Sequence, residues 1–163
     1  MKKVLTLFSL FLVFSCLDKK ADENLALYFK QLSVEAGKKN VDIEINHRML
    51  PVIEVSDGVA HFDFSVLCES ARSQGDYMEL SRLYHTILLA NVKQMHVDCD
   101  DAARRFIAMI DEFYERNVKL IISAEVPMMS LYSHGGLEFE FKRCLSRLQE
   151  MQSRDYLASE HLP

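Results

Sequence analysis

The chain contains no tryptophan, three prolines, five glycines and four cysteines among its 163 residues, and no two cysteines form a CxxC pair. So little glycine and proline excludes collagen-like repeats and long flexible linkers. Without close cysteine pairs, zinc ribbons and thioredoxin-like redox centres are excluded as well. The longest apolar run, near the amino terminus, falls short of the ~20 residues that span a bilayer as a helix. Basic residues are not in excess: 19 Lys and Arg stand against 24 Asp and Glu, a net charge of −5. A protein whose main work is gripping nucleic acid needs clustered cations that this balance does not supply. What remains is 49% apolar, 26% charged and 10% aromatic, the composition of one folded globular domain. Cys68 and Cys144 fall in apolar-periodic stretches, so the four thiols, with Cys16 and Cys99, read as those of a reducing compartment.

The amino terminus points the other way. Met1-Lys2-Lys3 precedes an apolar run from Val4 to Phe14, then Ser15-Cys16. Charge, apolar core and a small residue before a cysteine form an export-signal pattern, approximating a lipoprotein cleavage site at Cys16. The alternative is a truncated start whose apolar segment belongs to the domain.

Periodicity predicts the elements. Asp22 to Leu32 has helical spacing, and Gly37-Lys38-Lys39-Asn40 is expected to be the polar turn that stops it. Val41–Asn46 alternates with period two, Leu50–Val55 follows as a second strand, and Ser56-Asp57-Gly58 turns the chain into a third, Val59–Phe64. This is a small β-meander. Asp76–Tyr84 reads as a helix, and Thr86–Ala90 as a strand covered on both faces. Asp100 or Asp101 is expected to cap a helix with the stripe Ala103, Phe106, Ile107, Ile110, Phe113 and Tyr114. Asn117 closes it before the strand Val118–Ala124. Strand, helix and strand predict a βαβ unit with parallel strands and a right-handed crossover. Gly135-Gly136 opens a carboxy-terminal helix with Phe141, Cys144, Leu145, Leu148 and Met151 inward. The fold class is therefore α/β: a meander, a βαβ unit and a terminal helix.

Several motifs invite chemistry. Ile107–Glu112 has the composition of a Walker B box, but helical periodicity runs through it, whereas that box needs a strand ending at the carboxylate. No GxxxxGK[ST] loop is present; the only Gly-Lys step is Gly37-Lys38. His96, Asp98, Cys99, Asp100 and Asp101 share one loop, yet lack a fourth soft ligand at zinc spacing. Ser133-His134-Gly135-Gly136 has the look of an oxyanion loop without a GxSxG nucleophile, so a permissive turn is expected. Arg143 and Arg147 lie one turn apart on the last helix. They suit a phosphate clamp or a contact with a neighbouring subunit's nucleotide, or else salt bridges to Glu138, Glu140 and Glu150.

Longer stretches carry a resemblance. Ile43–Arg48, Ala71–Gln74 with Asp76-Tyr77, Leu83–Thr86, Ala103–Ala108, Asp111–Arg116, Val118–Leu120, Ser123–Pro127, Phe139–Phe141 and Arg143–Ser153 are similar to the Afg-one-like AAA+ family of ZapE-like cell-division ATPases, in its carboxy-terminal part. The resemblance implies a cytoplasmic P-loop ATPase that uses ATP and magnesium and works at the division site with a partner such as the FtsZ ring. In the family the Walker A, Walker B and first sensor elements lie in an amino-terminal half with no counterpart here. The resemblance therefore carries no catalytic, cofactor-binding or metal residue onto this sequence, and the chain alone is expected not to bind ATP. Arg143 and Arg147 are left as the candidate trans-acting or interaction residues. Residues 1–20 then resemble the connector between the halves, residues 21–163 form the α/β domain, and truncation with cytoplasmic location is expected over an exported, non-catalytic interaction module.

Overall fold

The computed structural model describes residues 14–15, as backbone, and residues 19–163. The cleavage expected at Cys16 and the apolar run before Phe14 lie outside the described residues. In chain order the elements are β1 (Phe14–Ser15), α1 (Lys19–Leu32), β2 (Lys38–Ile45), β3 (Arg48–Ser56), β4 (Val59–Asp63), α2 (Gln74–Leu83), β5 (Thr86–Val92), α3 (Asp100–Glu115), β6 (Lys119–Ala124), α4 (Glu138–Glu150) and α5 (Arg154–Ala158). Single helical turns occur at Ser65–Glu69, Val97–Cys99 and Met128–Ser130.

One six-stranded sheet, in the order β1-β6-β5-β4-β3-β2, organises the chain. The meander pairs β2 with β3 and β3 with β4 antiparallel, whereas β4, β5, β6 and β1 run parallel. Asn46 and His47, both with positive φ (48° and 63°), make the tight turn between β2 and β3. Gly58 (φ 71°) turns β3 into β4 while the His85 ring fills the space a side chain would need.

Burial follows position in the sheet. Every residue of β5 except Asn91 is buried, as its continuous apolar run requires of a central strand. On one face Phe62 and Leu89 pack with Tyr77 of α2, Phe106, Ile110 and Phe113 of α3, and Phe141 and Leu148 of α4. On the other, Leu25 and Phe29 of α1 cover Val59, Leu88, Ala90 and Ile121. Each of the larger aliphatic and aromatic side chains among these contributes roughly 2 kcal/mol through removal from water. The α/β class, the parallel β5–β6 pair and the terminal helix agree with the sequence reading.

Two local expectations are corrected and one is extended. Gly37–Asn40 is not the turn that stops the first helix. That helix ends at Leu32, and Lys38 and Lys39 already pair with Val55 and Glu54. The third strand belongs to the parallel half as much as to the meander, because α2 carries the chain from β4 to a parallel β5. Neither Asp100 nor Asp101 caps α3: Cys99 occupies the cap position, and Asp100 accepts a hydrogen bond from the Tyr132 hydroxyl at 2.7 Å instead.

Candidate functional site

The two arginines owe their setting to the docking of α4 on α3. Phe141 stacks between Phe106 and Tyr132, at 5.9 Å and 5.1 Å between ring centres, and Cys144, Leu148 and Met151 continue the buried stripe. This register brings Arg143 and Arg147 to the carboxylates of α3. Arg143 Nη2 donates to Asp111 Oδ2 at 2.9 Å; Arg147 pairs with Asp111 Oδ1 and, at 3.6 Å, with Glu115. The Arg147 guanidinium also lies 5.0 Å over the Tyr114 ring. The expected salt-bridge partners are thus corrected: the bridges cross to α3 rather than running along α4 to Glu138, Glu140 or Glu150. Glu150 instead receives the Tyr114 hydroxyl, a bond that pushes the Tyr114 phenol up.

The two differ in freedom. Arg147 is 23% exposed and held from three sides, whereas Arg143 is 60% exposed and anchored through one nitrogen. Arg143 therefore keeps most of its donors for an anion. Beside it, Gln74, Arg104, Ile107, Ala108, Asp111, Leu137 and Glu140 line a shallow groove of about 280 Å³.

The other motifs resolve into local structure. Ile107–Glu112 lies wholly within α3, and its Glu112 accepts from Gln74 at 2.7 Å. In the acidic loop the His96 N–H meets Cys99 Sγ at 3.1 Å, and among the described residues no group of three His, Cys, Asp or Glu could hold a metal ion. At Ser133–Gly136, His134 takes positive φ (53°), and Gly135 backs onto the Tyr132 hydroxyl so closely that a side chain would collide. The Gly37-Lys38 step does not fit a phosphate loop, since Gly37 packs against Phe29 and Glu54 and Lys38 is already in the β2 ladder.

A second polar cluster lies where the parallel strands end, the edge at which open α/β sheets place their ligands. Asn91 breaks the β5–β6 register with positive φ (63°), donates through its amide to Asp63 Oδ2 at 2.6 Å, and through its backbone N–H to Ser123 Oγ at 3.0 Å. Partial burial works to raise the Asp63 carboxyl, but bonds from Ser65 and Asn91 outweigh it and hold the group below its ordinary value. Two residues earlier, His61 is 5% exposed, and neither ring nitrogen has a partner among the described residues. Burial lowers it to about 4, against the upward pull of Asp63. Sequence reading missed this cluster. Its one signal is the polar Asn91 directly after the buried run Thr86–Ala90.

The sequence model of the family described as AFG1-like ATPase matches residues 6–160. Over 133 residues the chain is 52% identical to the cell division protein ZapE of Escherichia coli, covering 80% of this chain and 36% of that protein. An uncharacterized protein of Schizosaccharomyces pombe is 32% identical over 169 aligned positions (86% and 37%), and lactation elevated protein 1 homolog B of Danio rerio is 26% identical over 149 (72% and 30%). The chain thus spans about a third of the length of the curated relatives it matches. No solved structure matches it. Among the described residues no helix is long and apolar enough to cross a membrane. With a family match across nearly all its residues, the chain belongs to the AFG1-like ATPase family.

Proposed function

We propose that this chain works as the carboxy-terminal part of a ZapE-like ATPase in bacterial cell division, with the division-ring protein FtsZ as a partner. ATP and magnesium are then held by the P-loop-bearing part of the enzyme, and these 163 residues neither bind nor hydrolyse ATP by themselves. The observation that carries the reading is the 52% identity to ZapE over 80% of the chain. It is supported by the poor fit of the one Gly-Lys step to a phosphate loop, described above. In this reading Arg143 reaches an adjoining ATPase part in trans, while Arg147, fixed by Asp111, Glu115 and Tyr114, holds the α3–α4 surface in shape. Cytoplasmic location is favoured over export because Phe14 and Ser15 pair with Ser123 and Ala124, and cleavage before Cys16 would remove that strand.

The test is direct. Purified chain should show no magnesium-dependent ATP turnover and no rise in melting temperature with ATP. The P-loop-bearing part of the E. coli relative, supplied as a separate chain, should be stimulated by it, and less by Arg143→Ala. Turnover by the isolated chain that survives rigorous purification would refute the first point; equal stimulation by both proteins would refute the role of Arg143.

A further inference from the structure

The helical turn Ser65–Glu69 and the loop after it draw in arginines from three directions. Arg72, in the loop before α2, donates through Nε to the Val66 carbonyl at 3.0 Å. Arg105 of α3 donates through Nη1 to the Cys68 carbonyl at 3.1 Å, and Arg48 of β3 through Nη1 to the Ala71 carbonyl at 3.2 Å. The Tyr77 hydroxyl takes the Leu67 carbonyl, between the first two, at 2.6 Å. Burial pushes the Tyr77 phenol up, and the charges of Arg72 and Arg105 both pull against that rise. The carbonyl bonds therefore hold these guanidinium groups close together along Val66–Ala71.

Their charge is not balanced from within. Among the described residues no carboxylate pairs with Arg72 or Arg105, and Arg104 has neither a salt bridge nor a hydrogen bond. The acidic groups nearby are engaged elsewhere. Glu69 pairs with Lys93 at 2.8 Å, Glu112 accepts from Gln74, and buried Asp76 is taken by Ser73, Asn46 and Arg48. Asp101, one turn before Arg105 on α3, makes no ion pair with it, because Arg105 is turned to Cys68. Each carbonyl bond uses one N–H of a five-donor group, so Arg72 keeps both Nη groups and Arg105 keeps Nε and Nη2. In a chain of net charge −5 this is a local excess of the opposite sign.

We propose that this arginine cluster is a docking surface for an acidic segment of a partner protein, with Arg72 and Arg105 each gripping a carboxylate. Free guanidinium forks match carboxylates bidentately, and arginine is enriched at protein interfaces. The carbonyl bonds fix both side chains beforehand, which lowers the entropy lost on docking. The donors come from three elements strung along Val66–Ala71, an arrangement that meets successive carboxylates of a chain. A nucleic acid backbone would run past the cluster onto a molecule whose overall charge repels it.

Fluorescence anisotropy with a labelled oligoglutamate peptide tests this, with oligoglutamine as the neutral comparison. The purified chain should bind the acidic peptide alone, more weakly as salt rises. Arg72→Gln with Arg105→Gln should weaken binding at least about tenfold, whereas Lys38→Gln with Lys39→Gln, an equal loss of charge on β2, should change it by less than about twofold. Arg72→Lys with Arg105→Lys keeps the charge and a donor for each carbonyl, so it guards against misfolding. Having lost the forks, it should bind at least about threefold more weakly. Absence of salt-sensitive binding overturns the proposal, as does equal weakening by the β2 control or unmutated affinity in the lysine pair. Single-stranded DNA that binds more tightly than the peptide, and loses that binding in the glutamine pair, also overturns it by assigning the surface to phosphate.

Discussion

Replacing His61 by leucine isolates one buried group whose energetic role can be worked out in advance. The imidazole is 5% exposed, its nitrogens lack partners, and burial depresses it from 6.5 to about 4. In the unfolded chain it takes a proton as pH falls through 6.5; in the folded chain it resists until about 4. Its effect on stability is therefore nil above pH 6.5 and increasingly unfavourable below it, levelling off once pH falls beneath 4. At 1.36 kcal/mol per pH unit the full loss is about 3 kcal/mol, of which about 2 kcal/mol is reached by pH 5. Leucine is close in volume, carries no titrating group, and also removes two polar atoms whose unsatisfied burial costs about 1–3 kcal/mol. Urea denaturation of both proteins at pH 7 and pH 5 reads the difference. The His61→Leu protein should be no less stable at pH 7 and should lose about 2 kcal/mol less on going to pH 5, equivalent to roughly 4–8 °C in melting temperature for a domain of this size. Other carboxylates titrate in both proteins and cancel. Parallel stability–pH curves would refute the assignment of a neutral, buried His61.

The two arginines should separate in stability as they do in contacts. Arg147→Ala loses two carboxylates and the Tyr114 face and should cost about 1–2 kcal/mol by urea denaturation, whereas Arg143→Ala should cost under about 0.5 kcal/mol. Tyr156→Phe removes a buried hydroxyl that donates between the carbonyls of Phe113 and Val118, at 3.1 Å and 3.0 Å, and should cost about 1–2 kcal/mol in the same assay. Gly58→Ala places a side chain against His85 at a positive φ and should lower the melting temperature by several degrees, about 1–2 kcal/mol.

Much of the framework was legible because burial imposes a period. The helix through Phe106, Ile110 and Phe113 and the strand after it were read from spacing, and α3 and β6 lie where that spacing put them. What spacing does not carry is the identity of a partner. Asp111 holds the arginines because α4 docks on α3 in one register, and no count along α4 reveals that. Spacing offers Asp100 or Asp101 as a cap, but the Tyr132 hydroxyl, 32 positions from Asp100, claims the Asp100 carboxylate. His61 sits in Val59-Ala60-His61-Phe62-Asp63, which alternates like a half-exposed strand. Because β4 is an interior strand under α1, its polar positions are covered as well as its apolar ones. Arg143 and Arg147 were singled out from their shared face, whereas the Asp63–Asn91–Ser123 network depends on three strands ending side by side, which no single segment displays.

The pairing of β1 with β6 has a consequence for how the chain is made. Phe14 meets Ser123, about 110 positions later, while β2, β3 and β4 close on one another through short turns. During synthesis at about 5–20 residues per second, β1 leaves the ribosome roughly 5–20 s before its partner strand exists. For that interval its ladder groups are open to other chains. The local hairpins assemble early while β1 waits for β6, so a translational pause after β1 has emerged and before β6 has lengthens the exposure, whereas a pause once β6 has emerged does not.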